Sequence, residues 1–185
     1  TSKIVNTTKV FNSLPSDNYT VSAWVNLSST VGSQNIILGI RSANNTFSRL
    51  AIVDGVAKLT NSTNTPVNAT STTTLSTGVW YHVTGTYSTS LGGKVYVNAV
   101  GEGSCTYLAL NRSLYDWSET IGGNSSQNSD FFNGSIDQVR IFNRALTSTE
   151  VTRLYYEGLA TVAEYTEQFT YLSNKGKLAG IEVAN

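Results

Sequence analysis

The stretch Tyr19-Thr-Val-Ser-Ala-Trp-Val-Asn-Leu27 alternates strictly, placing Tyr19, Val21, Ala23, Val25 and Leu27 on one face and Trp24 on the other, the pattern of a half-buried strand. A short apolar run follows at 36–40, and then 50–53 and 56–59 flank Asp54-Gly55, a strong two-residue hairpin signal. Residues 60–78 are nearly all Asn, Thr and Ser around Pro66 and fit either an exposed edge strand or a surface loop. Alternation returns at 79–87, and after a turn at Leu91-Gly-Gly93 the run 94–100 reads as its hairpin partner. The last strong strand is 135–143. Beyond it Val151, Leu154 and Tyr155 take helical spacing, Thr147 and Glu150 have the spacing of a capping box, and Gly158 sits where a left-handed residue would end a helix, which predicts a helix at about 148–157.

Many short strands, Gly-rich and Asn-rich turns and one closing helix predict an all-β fold, a sandwich of two antiparallel sheets sharing one core. The composition agrees. Of 185 residues, 39% are hydrophobic and only 13% charged, while Asn, Thr and Ser together supply 66, so the surface is built largely from uncharged polar groups. Twelve Lys and Arg balance twelve Asp and Glu with no basic stripe, which removes the electrostatic footprint of a nucleic-acid binder. No apolar run approaches the roughly 20 residues that cross a bilayer, so no membrane insertion is expected. Cys105 is the single cysteine, and neither a disulfide nor a thiolate metal cluster can form within the chain. A chain opening at Thr1 with no methionine reads as a processed product or a segment of something longer. Asn-x-Ser/Thr triplets begin at Asn6, Asn18, Asn26, Asn44, Asn61, Asn68, Asn111, Asn124 and Asn133, which suits a glycosylated surface protein, although a chain this rich in Asn, Ser and Thr produces them by chance.

The segment Phe132-Asn-Gly-Ser-Ile-Asp-Gln-Val-Arg-Ile-Phe-Asn-Arg-Ala-Leu146, followed by Thr147-Ser-Thr-Glu-Val151, resembles the C-terminal signature of laminin-G-like domains of the concanavalin A-like lectin/glucanase superfamily. Thr20-Val-Ser-Ala-Trp-Val25, Gly78-Val-Trp-Tyr-His-Val83, Lys94-Val-Tyr-Val-Asn98 and Ile121-Gly-Gly-Asn124 echo the same family pattern in order. The resemblance covers roughly residues 10–158 and implies a jelly-roll sandwich of two antiparallel sheets with one short C-terminal helix. It sets a domain at 1–158 and a C-terminal extension at 159–185. Such domains occur in secreted, cell-surface and virion proteins, often as appended carbohydrate-binding or adhesive modules.

Glycoside hydrolysis on this fold needs two carboxylates flanking the scissile bond, about 5–5.5 Å apart in retaining enzymes. No Glu-x-Asp occurs here, and the nearest spacing, Asp116 with Glu119, matches no catalytic motif, so no enzyme activity is expected. His82 has no nucleophile in its sequence context and reads as structural. Asp137 is in phase with Val139 and Ile141, which predicts an inward-facing carboxylate that must accept backbone N–H bonds, pair with an arginine or help ligate Ca²⁺. The resemblance favours Ca²⁺ at Asp137 with acidic help from near the N-terminus, but 11–17 reads Phe-Asn-Ser-Leu-Pro-Ser-Asp and lacks the usual acidic pair.

Sugar recognition combines an exposed aromatic face with amide or carboxylate groups for hydroxyls. Trp24 and Trp80 fall in core strands. Tyr115, Asp116 and Trp117 lie in a polar insertion at 111–120 and form the candidate ligand-binding cluster, unless Trp117 folds back over the sandwich edge. In the extension, 164–172 and 177–183 flank Ser173-Asn-Lys-Gly176 as a β-hairpin or assembly arm, with a helix competing for the first half. The leading expectation is a non-catalytic carbohydrate-binding or adhesion module of an extracellular, cell-surface or virion-surface protein, with a glycan or surface polysaccharide as ligand. The alternative is a structural or decoration domain that binds a protein partner through 159–185.

Overall fold

Asp54 and Gly55 both take positive φ, 52° and 78°, which matches the right-handed twist of the strands they join and closes the hairpin expected there. The structure, a computed structural model, describes residues 4–6, 18–30, 34–42, 46–63, 65–110, 117–124 and 130–159. Its strands are β1 (Ile4–Asn6), β2 (Tyr19–Leu27), β3 (Asn35–Ser42), β4 (Phe47–Val53), β5 (Val56–Ser62), β6 (Pro66–Thr74), β7 (Trp80–Ser88), β8 (Gly92–Val97), β9 (Val100–Cys105), β10 (Trp117–Ile121) and β11 (Gly134–Phe142). One helix, α1, spans 148–159. The strands form a six-stranded sheet, β1-β10-β3-β4-β5-β6, and a five-stranded sheet, β11-β2-β7-β8-β9. Neighbouring strands pair antiparallel throughout both sheets. This is the two-sheet sandwich with a closing helix that the pattern predicts, and the jelly roll that the resemblance implies.

The interior lies between the sheets. Val21, Val83 and Val97 of the five-stranded sheet are buried with Leu38, Leu50, Ile52 and Leu59 of the six-stranded sheet, and Ile141 packs against them. Each such buried side chain contributes roughly 1.5–3 kcal/mol. Tyr19 crosses this interior: its hydroxyl hydrogen-bonds Ser48 Oγ and donates to Asn61 Oδ1 at 2.9 Å, so one polar group is satisfied by the opposite sheet.

Three segments differ from the sequence reading. The polar stretch after β5 is an edge strand, β6, with Pro66 at its first position, where a missing N–H costs no ladder bond. The expected strand 94–100 is two strands, because Asn98 and Ala99 take φ of 47° and 68° and reverse the chain between β8 and β9. Asn98 holds that turn by accepting the His82 N–H on Oδ1 at 2.9 Å and donating its own N–H to the His82 carbonyl at 2.8 Å. The expected insertion at 111–120 ends in strand: 117–121 is β10, paired to β3 and β1. Residues 160–185, expected as a hairpin or assembly arm, lie outside the described residues.

α1 lies on the outer face of the five-stranded sheet. Val151 and Leu154 pack with Tyr96, Phe142 and Leu146 in a second, smaller core, and Tyr155 stacks on Trp24 at 5.6 Å between ring centroids. β2 is therefore buried on both faces, not the half-buried strand its alternation suggests. Thr147 and Glu150 close the helix start as a capping box: Glu150 N–H donates to Thr147 Oγ1 and Thr147 N–H donates to Glu150 Oε2. Gly158 is not the left-handed terminus expected of it. It is helical, and a Cβ there would lie 2.1 Å from Trp24 Nε1, so glycine is required for the helix to rest on the indole.

A carboxylate ties the sheets at their far edge. Glu102 of β9 accepts from the backbone N–H groups of Thr72 and Thr73 of β6 at 2.8 and 2.7 Å, and from both hydroxyls. These bonds occupy donors on an edge strand that would otherwise be open to another chain. Desolvation pushes the Glu102 carboxyl upward, but the bonds from Thr73 and Thr72 outweigh it and the net shift is downward. A folded-state pKa below the unfolded one gives stability that is present above the carboxylate range and is lost as pH falls through the folded value. Glu102→Gln is accordingly expected to lower the melting temperature at pH 7, with the gap from wild type narrowing in melts taken below about pH 4.5. Gly158→Ala gains about 0.5–1 kcal/mol in an open helix. Here the clash with Trp24 wins, and a net loss of about 1–3 kcal/mol is expected in denaturant titrations.

Candidate functional site

Under α1 the outer face of the five-stranded sheet holds a closed polar pair. His82 is 2% exposed, its Nε2 lies 2.7 Å from Ser22 Oγ, and its ring sits 5.4 Å from Trp24 and 6.0 Å from Tyr155. Burial, reinforced by the positive charge of Arg140, lowers the imidazole to about 4. Arg140 is held in turn by Glu157 of α1 at 2.8 Å. A serine and a histidine in contact are a familiar catalytic pair, but both are shut away from any substrate, and His82 is structural as expected. Trp80, two residues along the same strand, is 44% exposed and lies outside the core, contrary to the reading that groups it with Trp24.

Asp137 is exposed, not inward-facing. A bulge between Asp137 and Arg140, with Gln138 at φ 47°, shifts the phase of β11 by one residue. Ile136 and Ile141 consequently both reach the core, while Asp137 pairs with Trp24 on the outer face. Its Oδ1 accepts the Gln138 N–H at 2.7 Å, so the partner is a backbone amide. The Ca²⁺ expected there takes six to eight oxygens and so needs further ligands beside this carboxylate. Among the described residues no three His, Cys, Asp or Glu side chains gather to hold a metal. Residues 11–17, the other half of that expectation, lie outside the described residues.

The open site lies on the outer face of the six-stranded sheet. Strict alternation on β4 sends Leu50 and Ile52 into the core and leaves Phe47 and Arg49 on the other side. Across the β3–β4 ladder Arg41 is opposite Phe47 and Gly39 is opposite Arg49. These four residues and Asn124 line a shallow depression that opens to solvent. Gly39 matters because a Cβ there would meet Thr120 Oγ1 at 3.2 Å and the Gly123 carbonyl at 3.3 Å; without one, the turn at 122–124 settles on the sheet and brings Asn124 to the depression. Thr120 Oγ1 secures the turn by donating to that carbonyl at 2.6 Å.

The Arg49 guanidinium lies over the Phe47 ring, 4.9 Å from its centroid, and its Nε is buried with no hydrogen-bond partner among the described residues. Burial lowers the Arg49 pKa, the facing Asp130 raises it, and neighbouring Arg41 lowers it. Asn124 Nδ2 donates to Asp130 Oδ2 at 3.3 Å, completing a rim of amide, carboxylate and guanidinium groups. Among the described residues lining the depression none is an acid, and the carboxylate at its rim, Asp130, accepts from Asn124. The arrangement suits hydrogen bonding to a polar ligand.

Of the cluster expected from sequence, Tyr115 and Asp116 lie outside the described residues. Trp117 opens β10, its backbone paired with Ser42, one position along β3 from Arg41. Sequence reasoning misses Arg41, Phe47, Arg49 and Asn124. The available signal is an arginine set inside each of two consecutive apolar strands, at 41 and 49.

Residues 2–152 match a family model described as the concanavalin A-like lectin/glucanases superfamily, and the chain belongs to this superfamily through its laminin-G-like branch. No curated protein matches the sequence. Among solved structures, the chain is similar to domain 4 of AbnA, a GH43 extracellular arabinanase from Geobacillus stearothermophilus, in complex with arabinotriose: TM-score 0.65, 24% identity, 78% of this chain and 69% of that chain. It is also similar to the CBM40 of the Ruminococcus gnavus IT-sialidase bound to α2,3-sialyllactose: TM-score 0.67, 15% identity, 82% of this chain and 91% of that one. A third likeness is to the SAP-like pentraxin of Limulus polyphemus, with TM-score 0.57, 16% identity, 74% of this chain and 69% of that chain. These identities establish a shared fold, and function is argued from the site.

An unfolded chain protonates His82 near 6.5, whereas the folded chain resists until about 4. Its contribution to stability is therefore complete above pH 6.5 and lost as pH falls toward 4. Melting temperatures followed from pH 7 to 4 are expected to drop more steeply for wild type than for His82→Gln, which has no proton to gain.

Proposed function

We propose that this chain is a non-catalytic carbohydrate-binding module of an extracellular, cell-surface or virion-surface protein, and that it takes its glycan at the depression around Arg41, Phe47, Arg49 and Asn124. The observation that carries the reading is the depression itself, which sets a ring, an amide and two guanidinium groups on a rigid sheet, whereas α1 covers Trp24, His82 and Ser22 on the other outer face. Sugar hydroxyls need donors and acceptors held in place, and strand-borne side chains lose little entropy when they engage. Two proteins sharing the fold were solved with oligosaccharides, arabinotriose and sialyllactose, which supports a glycan as the ligand class. Among the described residues no acid lines the depression, which supports binding in place of hydrolysis. The cluster Tyr115, Asp116 and Trp117 is a second candidate contact region of the same reading, and of it Trp117 opens β10 beside β3.

A glycan array probed with the domain is expected to show binding, and titration of the best ligand against Asn124→Ala is expected to lose about 1 kcal/mol, several-fold in Kd. Phe47→Ala is expected to lose at least as much, because the ring positions Arg49 as well as facing the ligand. Wild-type affinity in both variants would place the ligand elsewhere on the molecule.

A further inference from the structure

Resting on that reading, we infer that the site is selective for an acidic sugar, one whose carboxylate is gripped by Arg49 with Arg41 beside it. The first ground is the state of Arg49. Its Nε is buried with no hydrogen-bond partner among the described residues, although Phe47 fixes the guanidinium plane from one side. A buried donor left unmade is costly, more so for a charged group, and the cost disappears when an acceptor arrives. A carboxylate is the acceptor that matches the guanidinium fork, taking two parallel N–H bonds through adjacent nitrogens.

The second ground is the local charge. Arg41 and Arg49 line one depression and repel each other, while the acid acting on Arg49, Asp130, sits at the rim and also accepts from Asn124. A ligand anion between the arginines relieves that repulsion and leaves Asp130 with its amide partner. Both guanidinium groups thus lie in one depression of a chain that carries no net charge. A neutral sugar supplies only hydroxyl oxygens, which accept one N–H each and leave the fork half satisfied.

Carboxylates occur on sialic acids and on uronic acids, and the same chemistry recognises both. The test is titration calorimetry of the whole chain with a sialylated trisaccharide, a uronate oligosaccharide and the uncharged parent of each, at low and at physiological salt. At least one acidic ligand is expected to bind about tenfold or more tightly than its parent, and more weakly as salt rises. The arm that binds identifies the source. Arg49→Gln is expected to bring acidic and neutral ligands to equal affinity, with Arg49→Lys restoring only part of the preference because an ammonium cannot form the fork. Asp130→Asn is expected to tighten the acidic arm alone. A thermal melt of each variant separates loss of recognition from loss of fold.

Neutral parents binding as tightly as the acids, with Arg49→Gln unchanged, would overturn the acidic-sugar inference and leave the carbohydrate-binding reading standing. Binding of neither class by the folded wild-type chain would overturn both.

Discussion

The contact between Trp24 and α1 decides what the rest of the molecule is free to do. An indole on the outer face of β2 needs cover, and the helix supplies it with Tyr155 stacked on the ring and the bare backbone of Gly158 against its edge. That cover buries His82 and Ser22 and completes the burial of β2 on both faces. The part of the five-stranded sheet under α1 is thereby spent on stability. Under the proposed function, recognition belongs to the six-stranded sheet, whose outer face the described residues leave partly open.

The same division explains why similar chemistry has opposite meanings on the two sheets. His82 beside Ser22 is a proton-accepting base next to a hydroxyl, yet desolvation holds it neutral and α1 denies it a substrate. Arg49 is also partly desolvated, but it lines an open depression, and its Nε has no hydrogen-bond partner among the described residues. Burial beneath a helix makes a polar group structural, whereas partial burial beside solvent makes one available for recognition.

Period-two alternation makes β2, β7 and β11 readable from the order of residues alone, because one strongly apolar face leaves little choice of register. Three features escape it, each for a local backbone reason. Asn98-Ala99 looks like continuing strand, since alanine disfavours positive φ; the turn exists because Asn98 exchanges two hydrogen bonds with the His82 backbone, a partner 16 residues away in sequence. Asp137 lies on the face opposite to the one its phase predicts because one left-handed residue, Gln138, resets that phase without any compositional mark. Gly158 reads equally as a helix stop or as a close approach, and only the position of Trp24 distinguishes the two.

The candidate site is less legible than the fold for a related reason. Arg41 and Arg49 each border an apolar run, which in isolation describes an ordinary solvent-facing position. Their significance depends on the β3–β4 register, which sets Arg41 against Phe47 and Arg49 against Gly39, and on that glycine's lack of a side chain, which lets Asn124 come down beside them. Loop clusters are the usual place to look for recognition on a sandwich, and Tyr115 to Trp117 stand out in the sequence for that reason. A sheet-borne site has a physical advantage over a loop: its backbone is already fixed by two neighbouring strands, so the ordering cost of binding is confined to a few side-chain torsions. One of those is already restrained, since the Phe47 ring holds the Arg49 guanidinium before any ligand is present. Affinity in such a site comes chiefly from how well the ligand satisfies a donor that the fold has left unpaired, and that demand falls on the ligand's charge and planarity more than on its size.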